Sequence, residues 1–237
     1  VRNVRSVGNN YTVFATETFI DEVSQEIGVD PMAFRLNYLN GVGINAGSNT
    51  PASYGGGKRL ANVLKIASGL ANYGLENLGE YEGLGIAITG AENRWAPCFL
   101  ALIAKVQVDK NSAAINVQKL TCVLDVGIAI NPDGIRAQVE GSLLWGLSNA
   151  LLEKMTLEDG MVSERNFDSY KWQNITKIPE LEIHIVENGI FPSGVGEPAT
   201  CVVAPAIGNA IFNATGVRLR SLPFSREELF EGLDKKA

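Results

Sequence analysis

Phe99-Leu-Ala-Leu-Ile-Ala-Lys-Val-Gln-Val-Asp109, followed at once by Lys110-Asn-Ser-Ala-Ala-Ile-Asn-Val-Gln-Lys-Leu-Thr-Cys-Val-Leu-Asp125, decides the fold class. Ala104, Val106 and Val108 alternate with Lys105, Gln107 and Asp109, the two-residue period of a strand. Asp109-Lys-Asn-Ser112 is turn chemistry, so Ala114 to Asp125 reads as the second arm of a hairpin. Leu84-Gly-Ile-Ala-Ile88 upstream and the alternating Leu181 to Val186 downstream read as further strands.

Helices flank them. Asn131 is an N-cap residue and Pro132 suits the first helical position. Ile135, Val139, Leu143, Leu147 and Leu151 then recur every four residues, the stripe of a long helix. A last helical region spans Pro198 to Thr215 and stops at Gly216, with Pro205 expected to kink or restart it. Nearer the N-terminus, Phe19, Ile20, Val23 and Ile27 share one helical face and Gly28 ends the helix. Asp30 and Pro31 open a second helix over Met32 to Leu39. Asn40 to Lys58 reads as a long loop, and Leu60, Val63, Leu64, Ile66, Ala67 and Leu70 restore a helical stripe. The expected class is α+β: a mixed, largely antiparallel sheet with long helices packed on one side. Residues 1–80 form a helical segment with a linker, and residues 81–237 the α+β domain.

Composition narrows the function. The 237 residues are 46% hydrophobic and 19% charged, enough to bury a core without covalent staples. Twenty Lys and Arg against 26 Asp and Glu give a net charge of −6, which disfavours nucleic acid as a partner. The longest clean apolar run, Phe99 to Ala104, is far short of the ~20 residues a membrane helix needs. Cys98, Cys122 and Cys201 lie far apart with no Cys-x-x-Cys, so neither a zinc knuckle nor an iron–sulfur motif is expected, and no metal ligand is assigned. The first residue is Val1, so something is expected to have been removed or left out ahead of it.

Three stretches could carry chemistry. In Pro192-Ser-Gly-Val-Gly-Glu-Pro198, Gly194 and Gly196 can take backbone angles that other residues avoid, and without a Cβ they let a ligand approach the main chain. Glu197 stands where an N-cap belongs, and a helix N-terminus would keep its carboxylate ionised, as a general base requires. The plainer reading is a tight turn with an acidic cap. On the long helix, Gln138, Gly141 and Trp145 lie beside the aliphatic stripe; Gln138 offers a donor and an acceptor, and Gly141 allows close approach. A pterin edge, which alternates donors and acceptors, suits such a face, and so does helix packing. Arg2-Asn-Val-Arg-Ser-Val-Gly8 places two arginines before a helix, where they could clamp a phosphate or oxo group or simply be solvated. His184 sits mid-strand with no nucleophile beside it. Gly55-Gly-Gly57-Lys58 lacks the spacing of a phosphate loop and reads as linker. Asp21, Glu22 and Arg226-Glu-Glu228 read as solvated helix faces.

Taken in order, these segments resemble the molybdenum hydroxylases of the xanthine oxidase family, in particular the molybdopterin-binding subunit of the isoquinoline 1-oxidoreductase type. The resemblance runs through Arg5-Ser-Val-Gly8, Phe14 to Glu22, Gly28 to Arg35, Leu124-Asp-Val-Gly127, Asn131-Pro132, Gln138-Val-Glu-Gly141 and Gly194-Val-Gly-Glu197-Pro198. It implies the molybdopterin-binding fold of the aldehyde oxidase and xanthine dehydrogenase type, and oxidative hydroxylation of an N-heteroaromatic or aldehyde substrate with oxygen from water. Glu197 would be the base, taking a proton from a molybdenum-bound hydroxyl. Gln138 and Gly141 would meet the pterin, Gly194, Val195 and Gly196 would present backbone to it, and Arg5, Ser6, Val7 and Gly8 would lie near the molybdenum pocket. The implied cofactor is molybdenum–molybdopterin in its cytosine dinucleotide form, shared with residues outside this chain. Implied partners are the remainder of the subunit and a small subunit carrying two [2Fe–2S] clusters; the implied compartment is periplasmic, with cytoplasmic as the alternative. The chain corresponds to roughly the C-terminal third of such a subunit and lacks its glycine- and glutamine-rich cofactor loops. Asn93-Arg-Trp95 departs from the pattern at a substrate-facing turn. A non-catalytic structural or assembly module that retains the fold is the competing reading.

Overall fold

The computed structural model describes residues 4–39, 56–75, 77–93 and 96–235. Three helices come first: α1 (Asn9–Glu26), α2 (Pro31–Tyr38) and α3 (Gly56–Leu70). Strands β1 (Glu82–Asn93), β2 (Ala96–Val108) and β3 (Ile115–Asp125) follow, then α4 (Pro132–Leu151). A two-residue pair, β4 (Leu157–Glu158) with β5 (Met161–Val162), precedes β6 (Glu180–Val186). The chain closes with α5 (Pro198–Cys201), α6 (Val203–Thr215) and α7 (Arg226–Asp234).

The main sheet has the order β1-β2-β3-β6. β1, β2 and β3 are antiparallel, and β6 joins β3 in parallel after the α4 crossover. The hairpin turn forms as expected, because Asp109 Oδ1 accepts from the N–H groups of Asn111 and Ser112. Asn131 caps α4 through Gly134 N–H, Asp30 caps α2 through Ala33 N–H, and Gly216 ends α6 in the left-handed region at φ 69°.

Helices cover both faces of the sheet, not one. α4, α5 and α6 pack on the face bearing Leu100, Leu102, Ala104 and Cys122, while Val63, Leu64 and Ala67 of α3 pack on Ile86, Ala101, Ile103 and Val123 behind it. This explains why Phe99 to Ala104 is continuously apolar: a strand buried on both faces has no polar side to alternate with. α6 lies against the backbone of β1, where a Cβ on Gly85 would stand 2.1 Å from Ala210 N and 2.2 Å from Ala206 O.

Three local expectations change. Gly56, Gly57 and Lys58 form the first turn of α3 rather than linker, while Asn40–Gly55, Arg2 and Arg94-Trp95 lie outside the described residues. The final helix restarts as expected: it breaks at Val202, and Pro205, which has no N–H to give Cys201, falls in the first turn of α6. α1 buries its polar face: Glu17, Asp21 and Ser24 are inside, while Phe19 is 65% and Ile27 57% exposed. Asp21 is therefore not solvated, and distant partners are the reason. Glu17 pairs with Arg35 at 3.0 Å and Asp21 with Arg218 at 2.9 Å, and Asn209 donates to the Glu17 carbonyl and accepts from Arg218. Glu22 and Arg226-Glu-Glu228 are at the surface as read, Glu22 paired with Arg220.

Candidate active site

Two loops set the geometry. Asp125, at the end of β3, is buried and accepts from Arg59 (2.6 and 2.9 Å), from Gly127 N–H and from the Asn188 amide. Ser193 N–H donates to Val126 O, and Ile128 N–H to Ile190 O. Gly127 is left-handed (φ 74°), and a Cβ there would stand 2.4 Å from Phe191 O. These contacts zip residues 125–130 to residues 188–193 and lay the Gly194–Glu197 loop along the N-terminal half of α4.

The N-terminal strap crosses this junction. Arg5 Nε donates to Gly196 O at 2.5 Å, and Arg5 Nη2 donates at 3.0 Å to both the carbonyl and Oε1 of Gln138. The guanidinium lies 6.0 Å from the Trp145 ring. Ser6 grips Glu197 twice: its hydroxyl donates to the Glu197 carbonyl, and its N–H donates to Oε1 at 3.3 Å. Ser6 has φ 74° and Val7 φ 45°, a region a β-branched residue seldom occupies. Such backbone costs of order 1–3 kcal/mol per residue and persists where surrounding contacts hold it. Burial lowers the Arg5 guanidinium from its usual range, and the nearby Glu197 charge opposes that shift.

Arg5, Ser6, Gln138, Gly141, Gly196 and Glu197, spread across 193 positions, therefore meet in one notch on the surface of α4. Other expected residues lie apart from it. Val7 and Gly8 line a cavity of about 460 Å³ together with Tyr11, Asn149 and Thr200. Val195 packs against the main core, and Gly194 is half-buried beside it. Two readings need correction. Glu197 occupies the N-cap position of α5, but its side chain makes no cap hydrogen bond and turns to Ser6; the four-residue α5 does not hold the carboxylate. Gly196 does not use the left-handed region, so its value here is space rather than torsional freedom.

Sequence reasoning missed Ser142, whose hydroxyl donates to Gly196 O, and Asn10, whose amide donates to Arg5 O. Ser142 follows Gln138 by one helical turn, a spacing that would have placed it beside the notch. Asp125 and Asn188, 63 positions apart, gave no local signal.

The residues fit the edge of an organic cofactor better than a directly coordinated metal. No cluster of three His, Cys, Asp or Glu able to hold a metal ion occurs among the described residues. The notch instead offers a carboxylate, N–H groups on Gln138 Nε2 and Arg5 Nη1 that have no partner among the described residues, and two glycines that the packing of the described residues does not require. A Cβ on Gly141 would lie 3.5 Å from Arg5 Nη1 and one on Gly196 3.8 Å from Gln138 Oε1, both ordinary contacts. Their bareness leaves a cradle a ligand can fill.

A family model described as molybdopterin cofactor-binding domain matches residues 45–179. The chain belongs to the molybdopterin cofactor-binding domain family. The matched region holds the three antiparallel strands and α4 with Gln138 and Gly141, and ends before Glu197. Relatives extend further. The chain is 40% identical over 230 residues to the membrane-bound aldehyde dehydrogenase [pyrroloquinoline-quinone] of Gluconacetobacter polyoxogenes, covering 97% of this chain and 30% of that protein. It is 29% identical to isoquinoline 1-oxidoreductase subunit beta of Brevundimonas diminuta, covering 93% of this chain and 26% of that protein. The chain thus spans under a third of either relative's length. Among solved structures, the aldehyde oxidoreductase of Desulfovibrio desulfuricans superposes with TM-score 0.75 at 17% identity over 97% of this chain and 41% of that one. At that identity the likeness establishes the fold: the α+β molybdopterin-binding architecture. No helix among the described residues is long and apolar enough to cross a membrane.

Proposed function

We propose that this chain is the part of the molybdopterin-binding subunit of a molybdenum hydroxylase that carries the catalytic base. The reaction is oxidative hydroxylation of an N-heteroaromatic or aldehyde substrate with water-derived oxygen. The observation that carries the reading is the convergence of Arg5-Ser6, Gln138-Gly141 and Gly196-Glu197 on one surface notch. The remainder of the subunit, a small [2Fe–2S] subunit and the cytosine dinucleotide form of the cofactor belong to the same proposal.

A molybdenum cofactor held against these residues would supply the two-electron redox chemistry. The chain's own residues do the rest. Gln138 and Gly141 receive the cofactor edge on α4. Glu197, held at Oε1 by Ser6 N–H and at its carbonyl by the Ser6 hydroxyl, presents Oε2 to take a proton. Arg5 and Ser142 both donate to Gly196 O, which fixes the peptide leading into the base.

Molybdenum per protein, measured by elemental mass spectrometry on this chain assembled with the rest of its subunit, tests the cofactor class. A ratio near one supports the reading. Essentially none in a correctly matured assembly refutes it in favour of a non-catalytic module or of the quinone in one relative's name. The Glu197→Gln variant should keep its fold and full molybdenum while turnover falls at least ~100-fold. Turnover like that of the wild type at full molybdenum content would overturn the assignment of the base.

A further inference from the structure

The Gln138 side chain has a defined polarity. An amide can face a neighbour with its oxygen or its nitrogen, and at such sites the hydrogen-bond network decides. Here the neighbour is a guanidinium, which has five donors and no acceptor. Arg5 Nη2 therefore takes Oε1 at 3.0 Å, and Nε2 turns away with both N–H groups unpartnered among the described residues. Arg5 is itself largely engaged. Nε–H goes to Gly196 O, and the two Nη2 hydrogens go to Gln138 O and Oε1. Only Nη1 remains, and it sits beside Gly141, 3.5 Å from where a Cβ would be. No two parallel N–H groups of Arg5 are left for a bidentate anion clamp, and Nη1 alone is open toward a ligand.

We propose that Arg5 is a positioning residue that locks Gln138 with its oxygen inward, leaving a donor-only notch over Gly141 that receives a hydrogen-bond acceptor edge of the cofactor. The inference rests on the molybdopterin reading above and goes beyond it, because it replaces a Gln138 that alternates donor and acceptor with one that only donates. It also couples the two halves of the site. The same guanidinium that sets the Gln138 amide on α4 holds Gly196 O, one residue before Glu197, so cofactor edge and base are held to one reference. Trp145 flanks the guanidinium and limits where it can swing.

Gln138→Glu separates this role from simple packing. The variant keeps an oxygen facing Arg5, so the strap stays tied, but replaces Nε2 with a second acceptor. In the assembled subunit, bound molybdenum and bound pterin per chain should fall about tenfold, while the thermal midpoint of the cofactor-free protein stays level or rises. Arg5→Met, which frees the amide to flip, should lose cofactor to a similar degree with a lower midpoint. Combining the two should hold about as little cofactor as Gln138→Glu alone, because without an amide nitrogen there is no orientation left for Arg5 to set. Full molybdenum and pterin in Gln138→Glu would overturn the donor-only notch while leaving the molybdopterin reading intact. A midpoint in Gln138→Glu as low as in Arg5→Met would assign the residue to packing and likewise overturn it. If the wild-type assembly holds no molybdenum, the reading itself falls and this inference with it.

Discussion

Gly141→Ala should raise the stability of the cofactor-free protein and at the same time weaken its hold on the cofactor. Gly141 lies in the interior of the twenty-residue α4, on its exposed face. A glycine there costs about 0.8–1 kcal/mol relative to alanine, because more backbone freedom is lost on folding. The added methyl meets one described atom, Arg5 Nη1, at 3.5 Å, an ordinary van der Waals distance. Nothing among the described residues offsets the gain. For a protein of this size each 1 kcal/mol moves the thermal midpoint by roughly 2–4 °C, so calorimetry should show a rise of about 2–4 °C. The same methyl stands on the floor of the notch, between the free N–H groups of Arg5 and Gln138 and any edge that approaches them. Molybdenum retained by the assembled protein should therefore fall. A lowered midpoint would show that the Cβ is not accommodated and that Gly141 serves packing. A raised midpoint with unchanged molybdenum would show that nothing approaches this glycine. Stability gained against function lost is the expected mark of a residue kept bare for a ligand.

Other outcomes follow from the core. Burial holds Glu17 and Asp21 above the usual carboxylate range, with Arg35 and Arg218 pulling the other way. A folded pKa raised above the unfolded one gives stability that is full below the unfolded pKa and lost as pH rises through the folded value. The unfolding free energy of Asp21→Asn relative to wild type should therefore increase between about pH 3 and 8 in urea titrations, and a decrease would refute the shift. Burial also pushes the thiols of Cys98 and Cys201 up, to about 12 and about 11, and raises that of Cys122 as well. Mapped by mass spectrometry after alkylation at pH 8, all three should stay unmodified in the native protein and react only in denaturant. Gly85→Ala should cost about 3 kcal/mol or more by urea unfolding, because the obstructing atoms belong to the α6 backbone and cannot rotate aside. A loss below 1 kcal/mol would mean that α6 shifts freely on β1.

Local chemistry alone determined a good deal of this protein. The Asp109 turn, the Asn131-Pro132 and Asp30-Pro31 helix starts and the Gly216 stop depend on residues within four positions of one another, and each formed where its sequence placed it. The order of strands and helices along the chain was legible in the sequence, whereas a shared place for Gly196 and an α4 bearing Gln138 and Gly141 was implied only by the family resemblance. Tertiary structure decided what those motifs do. The apolar stripe of α1 predicted a buried Phe19 and Ile27, yet the helix turned Glu17 and Asp21 inward because Arg35 and Arg218 wait there, 18 and 197 positions away. Periodicity reports which face is apolar; it carries no information about a counter-charge supplied from another element. The same limit applies in the notch. The residue types of Gln138 and Glu197 were plain, but the direction of the amide and of the carboxylate was set by Arg5 and Ser6, which reach them only once the strap crosses α4. Hydrogen bonds are directional and short, so the polarity of a site is fixed by its neighbours in space.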